Sequence, residues 1–451
     1  MISKGALMHM LKAFACMLVF APLVSGCQQP PGLSGIQVSF SSGTAGAGAT
    51  PPAQTLTQSA FGRKIRQAVE TSPSLAQSET RLEAAAAEQD AAKGAFLPKV
   101  TLGINARSER VDSDVSDVSP YLRVSQLVYD GGAASGELAA AEARVYESRG
   151  DQLQTAAATA FSAIEAYVVV LDRRKIQGIN AQNVSAHEKL VRQISDRTAS
   201  GAGSNADLLT ARSRMADAQT RYADSIAQVD RAEARYREVF DSAPDALPQP
   251  IPAPNLTRSD TQIVLSSPQV RRADASLVAA KAEWSAAQAR KQPDIRVAAF
   301  ANQDTDRDAN FGVDLSFNYE LDSTGQRRAA IAAAHARVKD AQFSREALIR
   351  EITRELGFIR SDQKAGAERL RAAKLAVQAN AESVEAARAQ FTIGRRSLIE
   401  ILDAQRDFVN AQERLILAEQ SFFLTNYAAL SLTGDILDLL GLSVGTWSAQ
   451  Q

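Results

Sequence analysis

Cysteine is nearly absent from this 451-residue chain: the two that occur, Cys16 and Cys27, both fall in the first thirty residues, so no internal disulfide braces the body and no cysteine-based metal site is available. Aromatic residues make up 6% of the chain, little for a compact enzyme core, while alanine is abundant, which suits long, closely packed helices. Neither sign of charge is in excess. With 50 basic against 51 acidic residues and no dense Lys/Arg block, the chain has no electrostatic footprint for nucleic acid. His9, His187 and His335 are the three histidines, and neither a metal-ligand cluster, a nucleophile elbow nor a phosphate loop accompanies them. Gly131-Gly132 precedes a helical pattern but lacks the context of a nucleotide-binding loop, so it reads as a strand-to-helix turn. No catalytic residue and no cofactor is nominated.

What is present begins with a leader. Lys4 and Lys12 precede the apolar run "AFACMLVFAPLV", which ends in small residues, the order of a secretory signal over residues 1–26 and too short to span a bilayer with proper flanks. Val24-Ser25-Gly26-Cys27 resembles the lipobox of bacterial lipoproteins, which implies a lipid on Cys27; Gln28 in the next position resembles sorting to the outer membrane. Residues 27–56 are rich in Gly, Ser, Pro and Ala, as expected for a lipid-anchored flexible tether.

The remainder is duplicated. Pro73 and Pro98 are separated by the same interval as Pro268 and Pro293, at an offset of 195 (268 − 73), and Gly132 and Gly201 by the same interval as Gly325 and Gly394, at an offset of 193 (325 − 132). Asp207 thereby matches Glu400, and Ala218-Gln219 matches Ala411-Gln412. The expected organisation is repeat one over 57–240, a proline-rich linker over 241–260, repeat two over 261–440 and a tail over 441–451. Between each pair of glycines the sequence is proline-free and rich in helix formers, enough for a helix of about 100 Å. A heptad seam runs along each returning segment: Leu208, Ala211, Met215, Ala218, Tyr222, Ser225 and Val229 in repeat one, and Ile401, Ala404, Phe408, Ala411, Leu415, Ala418 and Phe422 in repeat two. Each repeat is therefore expected to form an antiparallel helical hairpin with its tip at Gly201 or Gly394.

Before each long helix lie two strand-like segments, at 99–109 and 120–129, then 294–303 and 311–322. "FGVDLSFNYELD" alternates Phe311, Val313, Leu315, Phe317, Tyr319 and Leu321 with polar or small residues, and Arg123 and Arg296 sit on the polar faces of the less regular pair. The intervening stretches 111–119 and 304–310 read as turns. Strands of this length with one apolar face match tilted bilayer-crossing strands, yet four cannot close a barrel, and an open edge in lipid leaves backbone groups unpaired. Several chains must share one barrel. Without lipid-facing strands the alternative is a lipid-anchored periplasmic coiled-coil scaffold that transports nothing.

At this point the sequence resembles the TolC family of bacterial outer-membrane export channels over nearly all of the mature chain. The residues that carry the resemblance are "LVYDGG", "SGAGSNADLLTAR", "LSLTGDIL" and above all "QFTIGRRSLIEILDAQRDFVNAQ" at 390–412. It implies a mostly α fold with a small membrane β part: a homotrimer whose chains each give four strands to one transmembrane β-barrel and long coiled-coil hairpins to a periplasmic α-barrel. It also implies a periplasmic gate at Glu400 and Asp403, a gate-holding link between Arg396 and Asp207, and contacts with a periplasmic membrane-fusion adaptor at the tips, Gly201, Ser204, Gly394, Arg395 and Ser397. Phe391 stands where the family often has Tyr, which removes a hydroxyl from the gate region. The implied role is the passive exit duct of a tripartite export system, working with an inner-membrane pump driven by protons or by ATP. Its cargo is either type I secreted protein, towards which "TIGRRSLIEILDAQ" leans, or small toxic compounds.

Overall fold

The computed structural model describes residues 53–110, 114–254, 258–303 and 310–442. The signal segment, Cys27, most of the tether, parts of both strand-to-strand turns and residues 443–451 lie outside the described residues. The fold is mostly helical with one small antiparallel sheet.

Three helices open the chain, α1 (Ala53–Gln58), α2 (Ala60–Glu70) and α3 (Pro73–Lys93), the last leading through a short 3-10 turn (Gly94–Phe96) into β1 (Lys99–Arg110) and β2 (Asp114–Tyr129). Then come the long helix α4 (Ala133–Ala199) and its returning partner α5 (Asn205–Phe240). Repeat two follows the same plan with α6 (Asp260–Ser266), α7 (Pro268–Ala289), β3 (Asp294–Asn302), β4 (Asn310–Asn318), α8 (Gln326–Thr392), α9 (Leu398–Thr433) and a terminal α10 (Asp435–Leu440). α4 and α8 have 67 residues each and α5 and α9 have 36 each, so the duplication is metrically faithful.

The turn chemistry explains where the long helices begin. Gly131 and Gly132 adopt positive φ, and the Asp130 carboxylate accepts from the N–H groups of Gly132 (2.9 Å) and Ala134 (2.6 Å). In repeat two Gly325 has φ 76°, and Asp322 accepts from the N–H groups of Arg327 and Arg328, both at 3.1 Å. Each aspartate satisfies donors that a helix N-terminus leaves unpaired, and its charge suits the positive end of the helix.

Two strand boundaries differ from the expectation. β2 starts at Asp114 rather than 120, because its backbone stays paired with β1 out to Arg110↔Asp114. β4 ends at Asn318 rather than 322: its partner β3 begins at Asp294, just after Pro293, so Tyr319 and Leu321 continue the alternation with no neighbour in the sheet.

The core sits at mid-height of the long helices. Phe61, Tyr167, Tyr236, Tyr427, Ile436 and Leu437 bury almost completely and join α2, α4, α5, α9 and α10. The proline-rich stretch is docked onto this belt. Tyr167 Oη donates to the Pro248 carbonyl (2.6 Å), Tyr427 Oη to that of Ile251 (2.7 Å) and Arg174 to that of Pro244 (2.7 Å). The folded body begins before Leu56, which is buried, and the chain end is packed against it through Thr57 Oγ1 to the Leu439 carbonyl (3.0 Å) and Arg66 Nε to that of Leu440 (2.7 Å).

The seam of repeat one packs as expected, with Leu208, Ala211, Ala218, Ser225 and Val229 buried. α9 differs. Of the expected row Ile401 and Ala411 are buried and the other five half-buried, while a second row, Leu402, Gln405, Val409 and Ile416, is buried, because α9 packs against both α8 and α4. A helix touching two neighbours needs a wider stripe than a two-helix seam.

Candidate functional site

The sheet is ordered β1-β2-β3-β4, antiparallel throughout, so β1 and β4 are open edges within one chain. Register places most of its large aliphatic residues on one face. Val100, Leu102 and Ile104 stand opposite Val124, Leu122 and Pro120; Leu122 and Val124 stand opposite Ala301 and Ala299; Ala299, Val297 and Ile295 stand opposite Val313, Leu315 and Phe317. On the two edge strands these side chains project into open space, with Leu102 79% and Leu315 72% exposed. So many exposed aliphatic side chains in register are tolerable where the surrounding solvent is hydrocarbon.

The other face is polar, and it carries Arg123 and Arg296 as expected. Arg123 pairs with Asp314 across β3 (3.4 Å) and lies over the Phe300 ring (6.0 Å); Arg296 pairs with Asp294 (2.9 Å). Two glycines make room for aromatic rings on this face. Gly103 is opposite Tyr121, whose ring lies 2.5 Å from where a Cβ would stand, and Gly312 is opposite Phe300, whose ring a Cβ would also strike. The sheet thus has a lipid-type face and a water-type face.

At the far end of the helices lie the two tips. Residues 200–204 and 393–397 form matching five-residue turns, with Gly201 at φ 75° and Gly394 at φ 72°. The Ala202 N–H reaches back to the Arg197 carbonyl (2.8 Å) and the Arg395 N–H to that of Gln390 (2.9 Å), closing both helix ends through a left-handed glycine. Ser204 caps α5 by accepting from the Ala206 N–H (3.1 Å). In repeat two Ser397 caps α9 and Glu400 completes a capping box, its Oε2 accepting from the Ser397 N–H (2.8 Å) and hydroxyl (3.0 Å). Those bonds, with Arg396 adding a smaller effect, hold the Glu400 carboxyl below the usual carboxylate range.

Glu400 and Asp403, three residues apart, share one side of α9; Asp403 pairs with Arg406 (3.1 Å). Asp207 occupies in α5 the position that Glu400 occupies in α9 and is exposed. Among the described residues no ion pair joins Arg396 to Asp207 within one chain.

What joins the tips is apolar. Ile194, Leu208 and Ala211 of repeat one pack with Leu398 and Leu402 of repeat two, Phe391 lies against this cluster, and the Arg197 guanidinium covers its ring at 5.1 Å. Above the cluster the contact between α4 and α9 turns polar. Arg388 donates to Gln405 (2.8 Å), Gln405 to Asn183 (3.3 Å) and Asn180 to Glu413 (2.8 Å). A groove of about 630 Å³ opens beside them, lined by His187, Lys189, Arg388 and Phe391. Burial pushes the His187 imidazole below its usual range, and Arg214 acts in the same direction. Sequence reasoning had not singled out this polar seam, although Asn180, Asn183 and His187 follow one another at heptad spacing.

Comparison with known proteins agrees with both ends of the molecule. The model of the outer membrane efflux protein family matches residues 64–239 and 261–433, one segment per repeat. The chain is 26% identical over 381 residues to the outer membrane efflux protein BepC of Brucella suis, covering 80% of this chain and 82% of that protein. Among solved structures it superposes on CusC with a TM-score of 0.76 at 15% identity, covering 84% of this chain and 91% of that one. It also superposes on the outer membrane protein VceC of Vibrio cholerae with a TM-score of 0.74 at 18% identity, covering 82% and 95%. With an apolar-faced sheet at one end, paired helical hairpins at the other and a family match across both repeats, the chain belongs to the outer membrane efflux protein family and is an outer-membrane channel.

Proposed function

We propose that three copies of this chain close edge to edge into one outer-membrane barrel continued by a periplasmic helical tunnel, and that this assembly is the passive exit duct of a tripartite export system. The observation that carries the reading is the four-stranded sheet with two open edges and one exposed apolar face. Unpaired strand edges are not tolerated in lipid, and the smallest familiar barrels need about eight strands, so further copies must supply the missing partners. Three copies of four strands meet that need.

In this reading Glu400 and Asp403 ring the periplasmic end and act as a cation-selective constriction, since rings of like charge admit counterions and resist co-ions. Arg396 and Asp207 hold the closed state. The tip residues Gly201, Ser204, Gly394, Arg395 and Ser397 receive a periplasmic adaptor, an inner-membrane pump supplies the energy, and a lipid on Cys27 adds a second anchor. Replacing both Glu400 and Asp403 by Ala should raise single-channel conductance or weaken cation selectivity in a planar bilayer; records identical to those of the parent would remove the gate assignment.

The efflux designation of the family and of the Brucella relative favours small toxic compounds as cargo. A clean deletion strain should then become more sensitive to such compounds while its exported proteome stays unchanged. Selective loss of one large secreted protein, restored by complementation, would instead make the chain a protein-secretion conduit.

A further inference from the structure

Position for position, the two repeats place different chemistry just below the sheet. In repeat one Gln89 of α3 donates to Glu142 of α4 (3.5 Å). At the equivalent places in repeat two stand Trp284 of α7 and His335 of α8, whose rings lie 5.1 Å apart. Around that pair the cations are regularly spaced. Lys281 is three residues before Trp284, and Arg328 and Lys339 are seven before and four after His335, so helical periodicity brings each to the side of its ring, while Lys291 stands in the turn just past the end of α7. Trp284, Lys291, Arg328 and His335 together line a shallow groove of about 260 Å³. Arg328 also contacts Asp322 (3.3 Å), whereas Lys281, Lys291 and Lys339 are exposed and, among the described residues, held in no ion pair. The matching positions of repeat one are Ala86, Phe96, Ser135 and Tyr146, none of them cationic.

The groove is on the membrane-facing side of the wall. A separate cleft between the same helices is lined by Ala287, Arg290, Gln326, Arg327 and Ala330 and runs into Leu127, Arg296 and Asn318, which belong to the polar face of the sheet. The Trp284 groove uses the other sides of α7 and α8, continuous with the apolar face. Its depth also fits a headgroup layer. Lys291 is three residues from the start of β3 and Arg328 two residues inside the start of α8, which puts both beside headgroups that extend roughly 5–7 Å beyond the hydrocarbon of each leaflet, while Trp284, five residues and about 8 Å inside the end of α7, stands at the outer rim of that layer. Exposed Tyr129 and Tyr319 near the strand ends mark the same boundary, where amphipathic rings concentrate.

We infer that the groove around Trp284 and His335 binds the headgroups of anionic phospholipids in the periplasmic leaflet, making repeat two the lipid-selecting half of the duplication. The inference rests on the barrel reading above, which sets the level of the bilayer. Lys291 and Arg328 supply the attraction, His335 contributes a donor, and Trp284 provides an amphipathic floor. Each cation near an anionic surface should enrich such lipids roughly fivefold.

The test uses the full chain assembled in lipid nanodiscs. Trp284 and Trp447 are the two tryptophans, so Trp447→Phe leaves Trp284 as sole reporter. Discs of phosphatidylcholine with or without phosphatidylglycerol would carry a trace of phosphatidylglycerol with a nitroxide headgroup. We expect strong quenching of Trp284 by the nitroxide, displaced by unlabelled phosphatidylglycerol and lost in Lys291→Gln. Oligomers intact on native electrophoresis with quenching unaffected by either change would overturn the inference alone. Failure of the parent chain to insert into discs would overturn the barrel reading and this inference with it.

Discussion

Repeats one and two have long helices of the same lengths and similar turn chemistry, yet they are buried very differently. α4 packs against α3, α5, α7 and α9 and hides a long series of alanines along with Leu153, Ile164 and Tyr167. α8 packs chiefly against α7 and α9 and leaves Phe343 (66%), Phe358 (58%) and Leu375 (63%) exposed. Duplication therefore conserves the frame, including one open strand edge per repeat, while the second copy alone keeps an open α8 flank and the cationic groove under the sheet. Unfinished surfaces are where other molecules fit.

The sharpest way to break the comparison is to charge that flank. Phe343→Asp combined with Phe358→Asp should abolish oligomers on native electrophoresis while leaving far-ultraviolet circular dichroism unchanged, because in the single chain neither ring is buried. Tyr167→Ala in α4 should do the reverse and unfold the belt itself, costing about 3–5 kcal/mol as for large buried aromatics. A smaller loss, about 1–3 kcal/mol, is expected from Gly312→Val, whose Cβ would meet the Phe300 ring; the thermal transition of the β part measures it. Tyr427→Phe leaves one strap carbonyl without its donor and should cost about 1 kcal/mol, with faster proteolysis within 241–254. The smallest effect belongs to the tips. The Glu400 carboxyl is depressed in the folded chain, so its cap adds stability above the ordinary glutamate range and loses it as pH falls through the lowered value; Glu400→Gln should remove that acid-side dependence of amide exchange at Ser397.

Much of this was legible in the sequence because it depends on spacing. The matched glycines gave the helix limits and the tips, and alternation gave the two faces of the sheet, down to Arg123 and Arg296 on the polar side. What escaped depends on neighbours that spacing does not name. The second buried row of α9 exists because α4 lies beside it, and β4 stops at Asn318 because β3 starts at Asp294. Composition marks the proline-rich stretch as a linker, but Tyr167 and Tyr427, far away in sequence, fasten it to the belt. At the candidate gate, periodicity placed Glu400 and Asp403 on one side of α9; that Glu400 also closes a capping box follows from Ser397-x-x-Glu400.

The central claim is that the sheet edges of separate chains complete one another in a closed ring. In a Cys27→Ala background, cysteines placed at Thr101 on β1 and Ser316 on β4 can be joined in outer-membrane fractions with a short bifunctional thiol reagent, and the products separated by denaturing electrophoresis. The account predicts species of one, two and three chains with nothing larger, and no ladder when either cysteine is present alone. A ladder running beyond three chains, or monomer only from protein embedded in the membrane, would contradict it.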